Sequence, residues 1–85
     1  MFYIYILKLN NNKLYTGYSD NIKRRIKEHQ SGKVLTTSKY LPIKLIHYEA
    51  YTLKSDALKR EKFLKTSEGK RLLKQQLSDI LKLIK

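Results

Sequence analysis

Residues 2–19 read FYIYILKLNNNKLYTGYS, two segments rich in aromatic and β-branched side chains with three asparagines between them. Such side chains favour extended strands, and asparagine tolerates the backbone geometry of a tight turn. The pattern therefore predicts a β-hairpin whose strands are Phe2–Leu9 and Lys13–Ser19.

The register of this hairpin determines which side chains share a face. If the turn is centred near Asn11, Tyr5 lies opposite Gly17 and Leu7 lies opposite Tyr15, so both tyrosines lie on the same side. Gly17 weakens a strand interior because it has no side chain to pack. Its presence indicates either close approach by another backbone or a ligand, or a simple bulge.

The composition restricts the class of protein. The chain has 85 residues, 41% of them apolar, and no cysteine. It is long enough for one small domain, which we place at residues 1–85, and it has no thiols for disulfides or zinc sites. The apolar run 2–7 is too short to span a bilayer and lacks the flanking features of an export signal. We expect a monomeric, cytoplasmic protein with no membrane partner.

The charge is strongly one-sided. Nineteen Lys and Arg residues against seven Asp and Glu residues give a formal net charge of +12. On so small a domain this produces a positive field over much of the surface, which favours a polyanionic partner. Charge alone weights nucleic acid about equally with membrane surfaces and acidic proteins taken together.

A helix is predicted directly after the hairpin. Ser19 or Asp20 can cap its start, and it runs to about Ser31 because Gly32 suits the left-handed position that ends a helix.

The periodicity of this helix places two polar side chains, Arg25 and His29, at or next to its buried face. Ile22, Ile26 and His29 line one side, and Arg25 lies about 60° from Ile22 on the helical wheel. Arg25 and His29 are four residues apart, which is the spacing needed for both to touch one phosphate. The alternatives are an arginine whose stem lies along apolar surface with its charge in water, and a histidine satisfied at the core boundary.

The middle of the chain contains a loop and a third strand. Residues 33–42 show no periodicity and predict a basic loop, which either follows a nucleic-acid backbone or is an inert connector, the interpretation we favour. Ile43–Tyr51 predicts a strand whose alternation places Leu45 and Tyr48 on opposite faces. We interpret His47 in this strand as structural.

Two further helices complete the chain. The first begins at Thr52 or Ser55 and runs to about Lys65. Its expected buried side consists of Leu53, Ala57, Leu58 and Leu64. The second begins at Ser67 or Glu68 and extends almost to the end of the chain, where it either closes the core or meets a partner helix.

Glu61 is the unusual residue of the first of these helices. It lies inside the apolar stripe, about 40° from Ala57 and about 60° from Leu64 on the helical wheel. Burying a lone carboxylate is costly, so Glu61 needs a partner. The candidates are a salt bridge to Arg25, a hydrogen bond from a tyrosine, or a divalent cation.

Five separated features together resemble the GIY-YIG nuclease family. They are Tyr3-Ile4-Tyr5, Tyr15-Thr16-Gly17, Arg25, His29 and Glu61, in this order and spacing. Tyr3 stands where the family name has glycine, a substitution that small members tolerate. The resemblance covers about residues 2–73, and the chain is most similar to short stand-alone bacterial proteins related to the nuclease domain of the bacterial excinuclease.

The resemblance implies an α+β fold, a three-stranded antiparallel β-sheet flanked by α-helices. It also implies an endonuclease that hydrolyses phosphodiester bonds with one divalent cation, Mg²⁺ or Mn²⁺. Tyr5 or Tyr15 would activate the attacking water, with its phenolate favoured by nearby positive charge. Arg25 would donate to the phosphate, His29 would orient the tyrosine or the phosphate, and Glu61 would hold the cation.

Nucleic acid is the expected partner, with DNA favoured over RNA and repair or processing of structured DNA as the role. Because so small a surface reads little sequence, a partner protein is the candidate for choosing the target. The contacts are expected at Tyr3, Gly17, Lys23, Arg24, Lys33 and Lys39.

One departure from the family bears on catalysis. Several members place an asparagine in the final helical region, and no asparagine follows Glu61 in this sequence, where Gln75 or Gln76 is the available substitute. The alternative function is therefore a non-catalytic nucleic-acid-binding module with the same fold, whose tyrosines stack on bases.

Overall fold

The computed structural model describes residues 1–84 and contains one antiparallel sheet with helices on both of its faces. The elements are β1 (Phe2–Lys8), β2 (Leu14–Ser19), α1 (Ile22–Gln30), α2 (Leu35–Ser38), β3 (Lys44–Tyr51), α3 (Lys54–Leu64), α4 (Ser67–Gln76) and α5 (Ser78–Leu83). The strand order is β2-β1-β3, so β1 is the central strand. This architecture confirms the predicted α+β fold with a three-stranded antiparallel sheet.

The hairpin has the register that the sequence predicts. Tyr5 pairs with Gly17 and Leu7 pairs with Tyr15 across β1 and β2. Because residues directly opposite each other in a sheet share a face, all four lie on one side. The two motif tyrosines are thus neighbours on one surface of the sheet.

The central strand supplies a core to each face of the sheet. Tyr5 and Leu7 are buried on the side that carries α1, where Ile22 and Ile26 pack against them. The opposite side carries α3, α4 and α5, and its buried residues are Ile4, Ile6, Ala57, Leu64, Leu73 and Leu77. Each fully buried Leu or Ile contributes about 1.5–3 kcal/mol, so both faces of β1 stabilise the fold.

Strand β3 is irregular where it pairs with β1. The register shifts between Ile6 and Leu7, so that Tyr5 lies opposite Tyr48 but Leu7 lies opposite Leu45. An extra residue in one strand reverses the alternation beyond it. Leu45 and Tyr48 therefore share the α1 face, and the prediction that they lie on opposite faces is wrong.

Helix α1 begins and ends close to the predicted positions. Its cap is Asn21, whose side chain accepts from the Arg24 backbone N–H, and not Ser19 or Asp20. Ser19 instead exchanges hydrogen bonds with the Asn21 backbone, which orders the turn that precedes the helix. Gly32 has φ = 77°, the left-handed conformation expected of a residue that follows a helix.

The segment 33–42 is more ordered than predicted. It contains α2, and Thr37 in this helix is fully buried. Thr37 lies against His29 of α1. The prediction of a loop without regular structure is therefore wrong for Leu35–Ser38.

Helix α3 buries a different face from the predicted one. Ala57 and Leu64 are buried as expected, but Leu53 is 59% exposed and Leu58 is 41% exposed. Leu53 has extended backbone angles at the cap position, without a side-chain cap, and so lies outside the helical period. The prediction of Thr52 or Ser55 as the cap is also wrong.

Helix α3 is joined to β3 by hydrogen bonds between Arg60 and the carboxylate of Glu49. Glu49 accepts two hydrogen bonds from Arg60, at 3.0 and 3.2 Å, one from Tyr51 at 2.6 Å, and one contact from His47 at 3.0 Å. Burial alone would raise the pKa of Glu49, but these partners outweigh burial and lower the pKa below its ordinary value. His47 therefore belongs to a structural network, as predicted.

The last predicted helix is interrupted. Helix α4 starts at Ser67 as predicted, with Thr66 as its cap, but it ends at Gln76, and α5 follows after Leu77. Ser78 and Asp79 compete for backbone hydrogen bonds and favour the start of a helix over its interior. Within residues 1–84, no helix is both long and apolar enough to cross a membrane.

Candidate active site

A chain of hydrogen bonds joins β1, α1 and α2 on one face of the sheet. The Tyr5 hydroxyl lies 2.8 Å from Nε2 of His29, and Nδ1 of His29 lies 2.7 Å from Oγ1 of Thr37. Tyr5 is 1% exposed and the other two residues are fully buried. Both ring nitrogens of His29 are therefore engaged inside the protein.

The direction of these bonds follows from the last partner in the chain. The Thr37 hydroxyl donates to the Val34 carbonyl at 3.4 Å, which leaves it as an acceptor toward His29. Nδ1 of His29 then carries the proton, and Nε2 accepts from the Tyr5 hydroxyl. This tautomer satisfies every polar atom of the three buried side chains.

The environment keeps the Tyr5–His29 pair neutral. Burial, reinforced by the positive charge of Arg25, lowers the pKa of His29 below its ordinary 6.5. Burial also raises the pKa of Tyr5, although Arg25 acts in the opposite direction. Arg25 alone therefore does not favour the phenolate of Tyr5, because desolvation outweighs the guanidinium.

A pH dependence of stability follows from His29. Because the pKa of His29 is lower in the folded protein than the 6.5 of a free histidine, the unfolded chain takes up a proton first as the pH falls. We expect the free energy of unfolding to decrease as the pH is lowered through 6.5 toward the folded pKa. Urea denaturation from about pH 7.5 to about pH 5 measures this loss, and a His29→Gln variant should show a flatter profile.

Equal slopes in the two proteins would contradict this assignment. The network around Glu49 does not obscure the comparison, because the lowered pKa of Glu49 lies below 4.5. Stability that depends on the Glu49 carboxylate is lost only at pH values below that, as the pH falls through its folded pKa.

Tyr15 stands at the open edge of the cluster. Its ring centroid lies 5.3 Å from that of His29 and 6.4 Å from that of Tyr5. The residue is half-buried, and its hydroxyl has no hydrogen bond among the described residues, although no buried polar atom there lacks a partner. The Tyr15 hydroxyl therefore faces solvent, in contrast to that of Tyr5.

Arg25 lies on α1, one turn before His29, and its guanidinium is next to the Tyr5 hydroxyl. The phenol raises the pKa of Arg25 by hydrogen bonding, so the guanidinium remains charged. Its Nη1 also contacts Oε1 of Glu28 at 3.2 Å, and one third of each of these two side chains is exposed. Arg25 is thus a cation that borders the tyrosine cluster and is open to an anionic ligand.

Gly17 provides the space that this cluster needs. A Cβ atom at this position would overlap the end of the Tyr5 ring, including its hydroxyl. The ring of Tyr5 therefore crosses over β2, the edge strand, and the absent side chain is explained by the phenol and not by a bulge. Gly17 is itself buried, so its contribution is room for Tyr5 and not a surface for nucleic acid.

Glu61 approaches the cluster from α3. Its side chain is 23% exposed, and its Oε2 lies 3.4 Å from Nζ of Lys65, which is 60% exposed. The charge of Glu61 is the weakest of the effects that raise the pKa of Tyr5, behind burial and the neighbouring Tyr15. Neither the salt bridge to Arg25 nor a hydrogen bond from a tyrosine, two of the predicted partners, is present within residues 1–84.

The donor set around Glu61 fits one kind of cation site. Mg²⁺ is commonly held by one or two carboxylates, with waters and substrate phosphate oxygens as the other ligands. Among residues 1–84 there is no group of three or more His, Cys, Asp and Glu side chains able to hold a metal ion. Glu61 thus fits an ion that the substrate completes, and the exposed contact with Lys65 is weak enough, at most about 1 kcal/mol, to be displaced.

The other residues predicted to contact nucleic acid lie around α1 and α2. Tyr3 packs against Tyr48 with ring centroids 6.2 Å apart. Arg24 is exposed and lies 3.7 Å from Asp20. Lys23, Lys33 and Lys39 are exposed. None of these five side chains takes part in the hydrogen bonds or ring contacts of the tyrosine cluster.

Thr37 is the member of the candidate site that the sequence does not reveal. It lies eight positions after His29 in a segment without periodicity, so no pattern connects the two. A weak signal is present in Thr36-Thr37-Ser38, because three adjacent hydroxyl side chains offer local hydrogen bonds to a neighbouring helix.

Comparisons with known proteins all lead to one family. Residues 1–75 match the model of the GIY-YIG catalytic domain. A UPF0213 protein of Staphylococcus epidermidis is 41% identical over 73 residues, which cover 85% of this chain and 89% of that protein. A UPF0213 protein of Haloquadratum walsbyi is 37% identical over 81 residues, which cover 92% and 91%.

A solved structure gives the same result. The solution NMR structure of a UPF0213 protein from Bacillus halodurans has a TM-score of 0.58 and 34% sequence identity to this chain, and the match covers 89% of this chain and 85% of that one. The chain therefore belongs to the GIY-YIG family, as one of its small UPF0213 members.

Proposed function

We propose that the protein is a divalent-metal-dependent endonuclease that hydrolyses phosphodiester bonds in DNA. The observation that carries this proposal is the meeting of two phenols, an imidazole and a guanidinium on one face of the sheet, with the charge of Glu61 acting on Tyr5. A net charge of +12 supports a polyanionic substrate.

Tyr15 is the residue that activates the attacking water. A general base must come within hydrogen-bond reach of the proton that it accepts. The hydroxyl of Tyr5 is buried and donates to His29, whereas that of Tyr15 is open to solvent. The phenolate of Tyr15 would take a proton from water as the water oxygen bonds to phosphorus.

Tyr5, His29 and Thr37 position this base. The rings of Tyr5 and His29 both contact Tyr15, and their hydrogen bonds fix their orientation. His29 has no free nitrogen to offer a phosphate, so of its two predicted roles the orientation of the tyrosine is the one that its surroundings support. The chain of three side chains acts as a rigid wall behind the reacting water.

Arg25 and Glu61 act on the phosphate. The guanidinium of Arg25 would donate to the non-bridging oxygens, where negative charge increases during attack. Glu61 would hold a Mg²⁺ or Mn²⁺ ion, which when bound neutralises charge on the phosphate and on the leaving oxygen. The carboxylate and the guanidinium would thereby define where the scissile phosphate sits.

The substrate class is DNA whose structure is irregular, as in repair intermediates. A recognition surface on a chain of 85 residues is too small to read a long sequence. Specificity would then come from the shape of the DNA or from a partner protein, and binding should weaken steeply with salt because phosphate contacts dominate it.

Incubation with defined substrates tests the function. We expect the purified protein to cut branched DNA in the presence of Mg²⁺ or Mn²⁺ and to leave it intact in a chelator. Single-stranded DNA, blunt duplex and RNA of equal length serve as comparison substrates.

Retardation of these substrates without metal-dependent products would contradict the proposal. That outcome would instead assign the chain to the non-catalytic binding modules. Anomalous scattering from Mn²⁺-soaked crystals of the protein with bound DNA gives an independent readout, because an ion beside Glu61 is expected whether or not turnover is fast.

A further inference from the structure

A second surface on the face of the sheet that carries α1 has no role in the mechanism above. It is a groove of about 410 Å³ between α1 and β3, on the flank of α1 that faces away from Arg25. Its lining residues are Ile22, Lys23, Ile26, Lys27, Gln30, Leu45 and Tyr48. We call it the Tyr48 groove.

The irregularity of β3 creates this groove. Because the register shifts between Ile6 and Leu7, Leu45 and Tyr48 lie on the same face of the sheet. Leu45 forms part of the apolar floor, with the side chains of α1. Regular pairing would have turned one of the two residues to the opposite face.

Tyr48 presents an aromatic ring to solvent while packing against one neighbouring ring. The side chain is 56% exposed, although it contacts Tyr3 edge to face with an interplanar angle of 61°. The contact with Tyr3 restricts the ring without covering both of its faces. An exposed ring that already packs against one neighbour suits stacking, because less conformational freedom is lost when a base packs on it than for an unsupported side chain.

The polar rim of the groove is cationic. Lys23 and Lys27 lie one helical turn apart on the same side of α1. Within residues 1–84, neither forms a salt bridge or a side-chain hydrogen bond. Two adjacent lysines without carboxylate partners fit successive phosphates of a single strand.

We propose that the Tyr48 groove binds an unpaired nucleotide of the substrate, with its base on Tyr48 and its phosphates on Lys23 and Lys27. This inference rests on the proposed function and makes it narrower, since the preferred substrate is then a duplex with a single-stranded extension. Tyr48 pairs directly with Tyr5 across the sheet. An extension held in the groove is therefore one strand spacing from the tyrosine cluster.

Charge complementarity selects this occupant over an apolar peptide or a second copy of the chain. Both lysines would approach like charges in a symmetric dimer of a chain with a net charge of +12. Aromatic rings beside basic side chains are the common arrangement for single-stranded nucleic acid, in which every base can stack.

Binding in a chelator tests the groove without any need for cleavage. Fluorescence anisotropy would compare a blunt duplex with the same duplex carrying a short unpaired extension, for the wild type and for Tyr48→Ala. We expect Tyr48→Ala to weaken binding of the extended duplex about 5- to 150-fold and to leave the blunt duplex nearly unchanged. Tyr48→Phe, which keeps the ring, should bind as the wild type does.

Tyr40→Ala is the matched control, since Tyr40 is an exposed tyrosine outside the groove. Equal losses on both duplexes, or equal losses in the Tyr40 and Tyr48 variants, would overturn the proposal. A base analogue such as 2-aminopurine in the extension gives a direct signal, because its fluorescence should be quenched by the wild type and by Tyr48→Phe only.

The lysines have a separate measurement. Replacing Lys23 and Lys27 with glutamine should reduce the salt dependence of binding to the extended duplex by about 0.7 in the log–log slope for each lost phosphate contact. An unchanged salt dependence would show that Lys23 and Lys27 do not contact the phosphates of the extension. Sedimentation of the free protein tests whether a second copy of the chain occupies the groove. A wild-type dimer that dissociates in Tyr48→Ala would assign the groove to self-association and overturn the proposal.

These measurements separate the two hypotheses. If the wild type cuts DNA but Tyr48→Ala binds the extended duplex normally, the groove proposal fails and the nuclease remains. If no DNA is cut but the extension effect is present, the proposed function fails and the groove remains as a nucleic-acid-binding site.

Discussion

Arg25→Ala and Glu61→Ala are each expected to reduce the rate of DNA cleavage by about 10²–10³-fold. Arg25→Ala removes a cation that would contact the scissile phosphate, and Glu61→Ala removes the carboxylate that would hold the metal ion there. Arg25 borders the tyrosine cluster from α1, and Glu61 approaches it from α3. The two losses should differ in their metal dependence. Excess Mn²⁺ is expected to recover part of the activity of a Glu61 variant and none of the activity of Arg25→Ala.

Both variants should remain folded. The contacts that they lose, Arg25 with Glu28 and Glu61 with Lys65, are partly exposed pairs whose contribution to stability is about 0–1 kcal/mol. Single-turnover cleavage and thermal denaturation, measured on the same samples, separate a lost rate from a lost fold.

Matched substitutions on α4 serve as controls. Arg71→Ala and Glu68→Ala remove the same charges from exposed positions outside the site, so cleavage should stay close to that of the wild type. Wild-type activity in both Arg25→Ala and Glu61→Ala would contradict the assignment of these two residues. An equal loss in the α4 controls would show that net charge, and not position, determines the rate.

The hairpin and its tyrosines were predictable because they depend on local rules. Three asparagines limit where the turn can lie, and a period of two then fixes the register of Tyr5 and Tyr15. The placement of Arg25 and His29 beside them follows from the helical period. Sequence patterns are most informative where one element directly follows another and both have strict periodicity.

The parts that were not predictable depend on contacts between distant elements. Thr37 joins the candidate site because α2 packs against His29, and no periodicity in residues 33–42 signals this helix. The sequence gives no sign of the register shift in β3 either, although this shift decides which face Leu45 and Tyr48 occupy. For α3, Leu53 precedes the helix with extended backbone, and the packing of Ala57 and Leu64 leaves Leu58 exposed.

The two faces of the sheet differ in how far their polar groups are satisfied within the protein. On the α3 face, Glu49 collects hydrogen bonds from Arg60, Tyr51 and His47, and its polar atoms are satisfied within the protein. On the α1 face, Tyr15 and Arg25 keep groups that are open to a ligand. A small chain can hold such groups in place because the opposite face and the buried Tyr5–His29–Thr37 chain keep the sheet and α1 rigid.

Tyr15→Phe and Tyr5→Phe each remove a single hydroxyl but are expected to affect different properties, the first the cleavage rate and the second the stability of the fold. Tyr15→Phe removes the proposed base and should reduce the cleavage rate by about 10²–10⁴-fold, with folding preserved because the lost hydroxyl faces solvent. Tyr5→Phe leaves Nε2 of His29 buried without a partner, which should lower the free energy of unfolding by about 1–3 kcal/mol.

Urea denaturation measures the stability of each variant, and single-turnover kinetics at saturating DNA measures the chemical step. The difference follows from burial. The Tyr5 hydroxyl is inaccessible and already donates to His29, so it supports the structure. The Tyr15 hydroxyl is accessible and has no partner among the described residues, so its phenolate can accept a proton from water. If Tyr5→Phe were the inactive variant and Tyr15→Phe cut DNA at the wild-type rate, the water would have to reach the buried phenol. The base would then be Tyr5, with His29 as the acceptor of its proton, and Tyr15 would be a wall of the site.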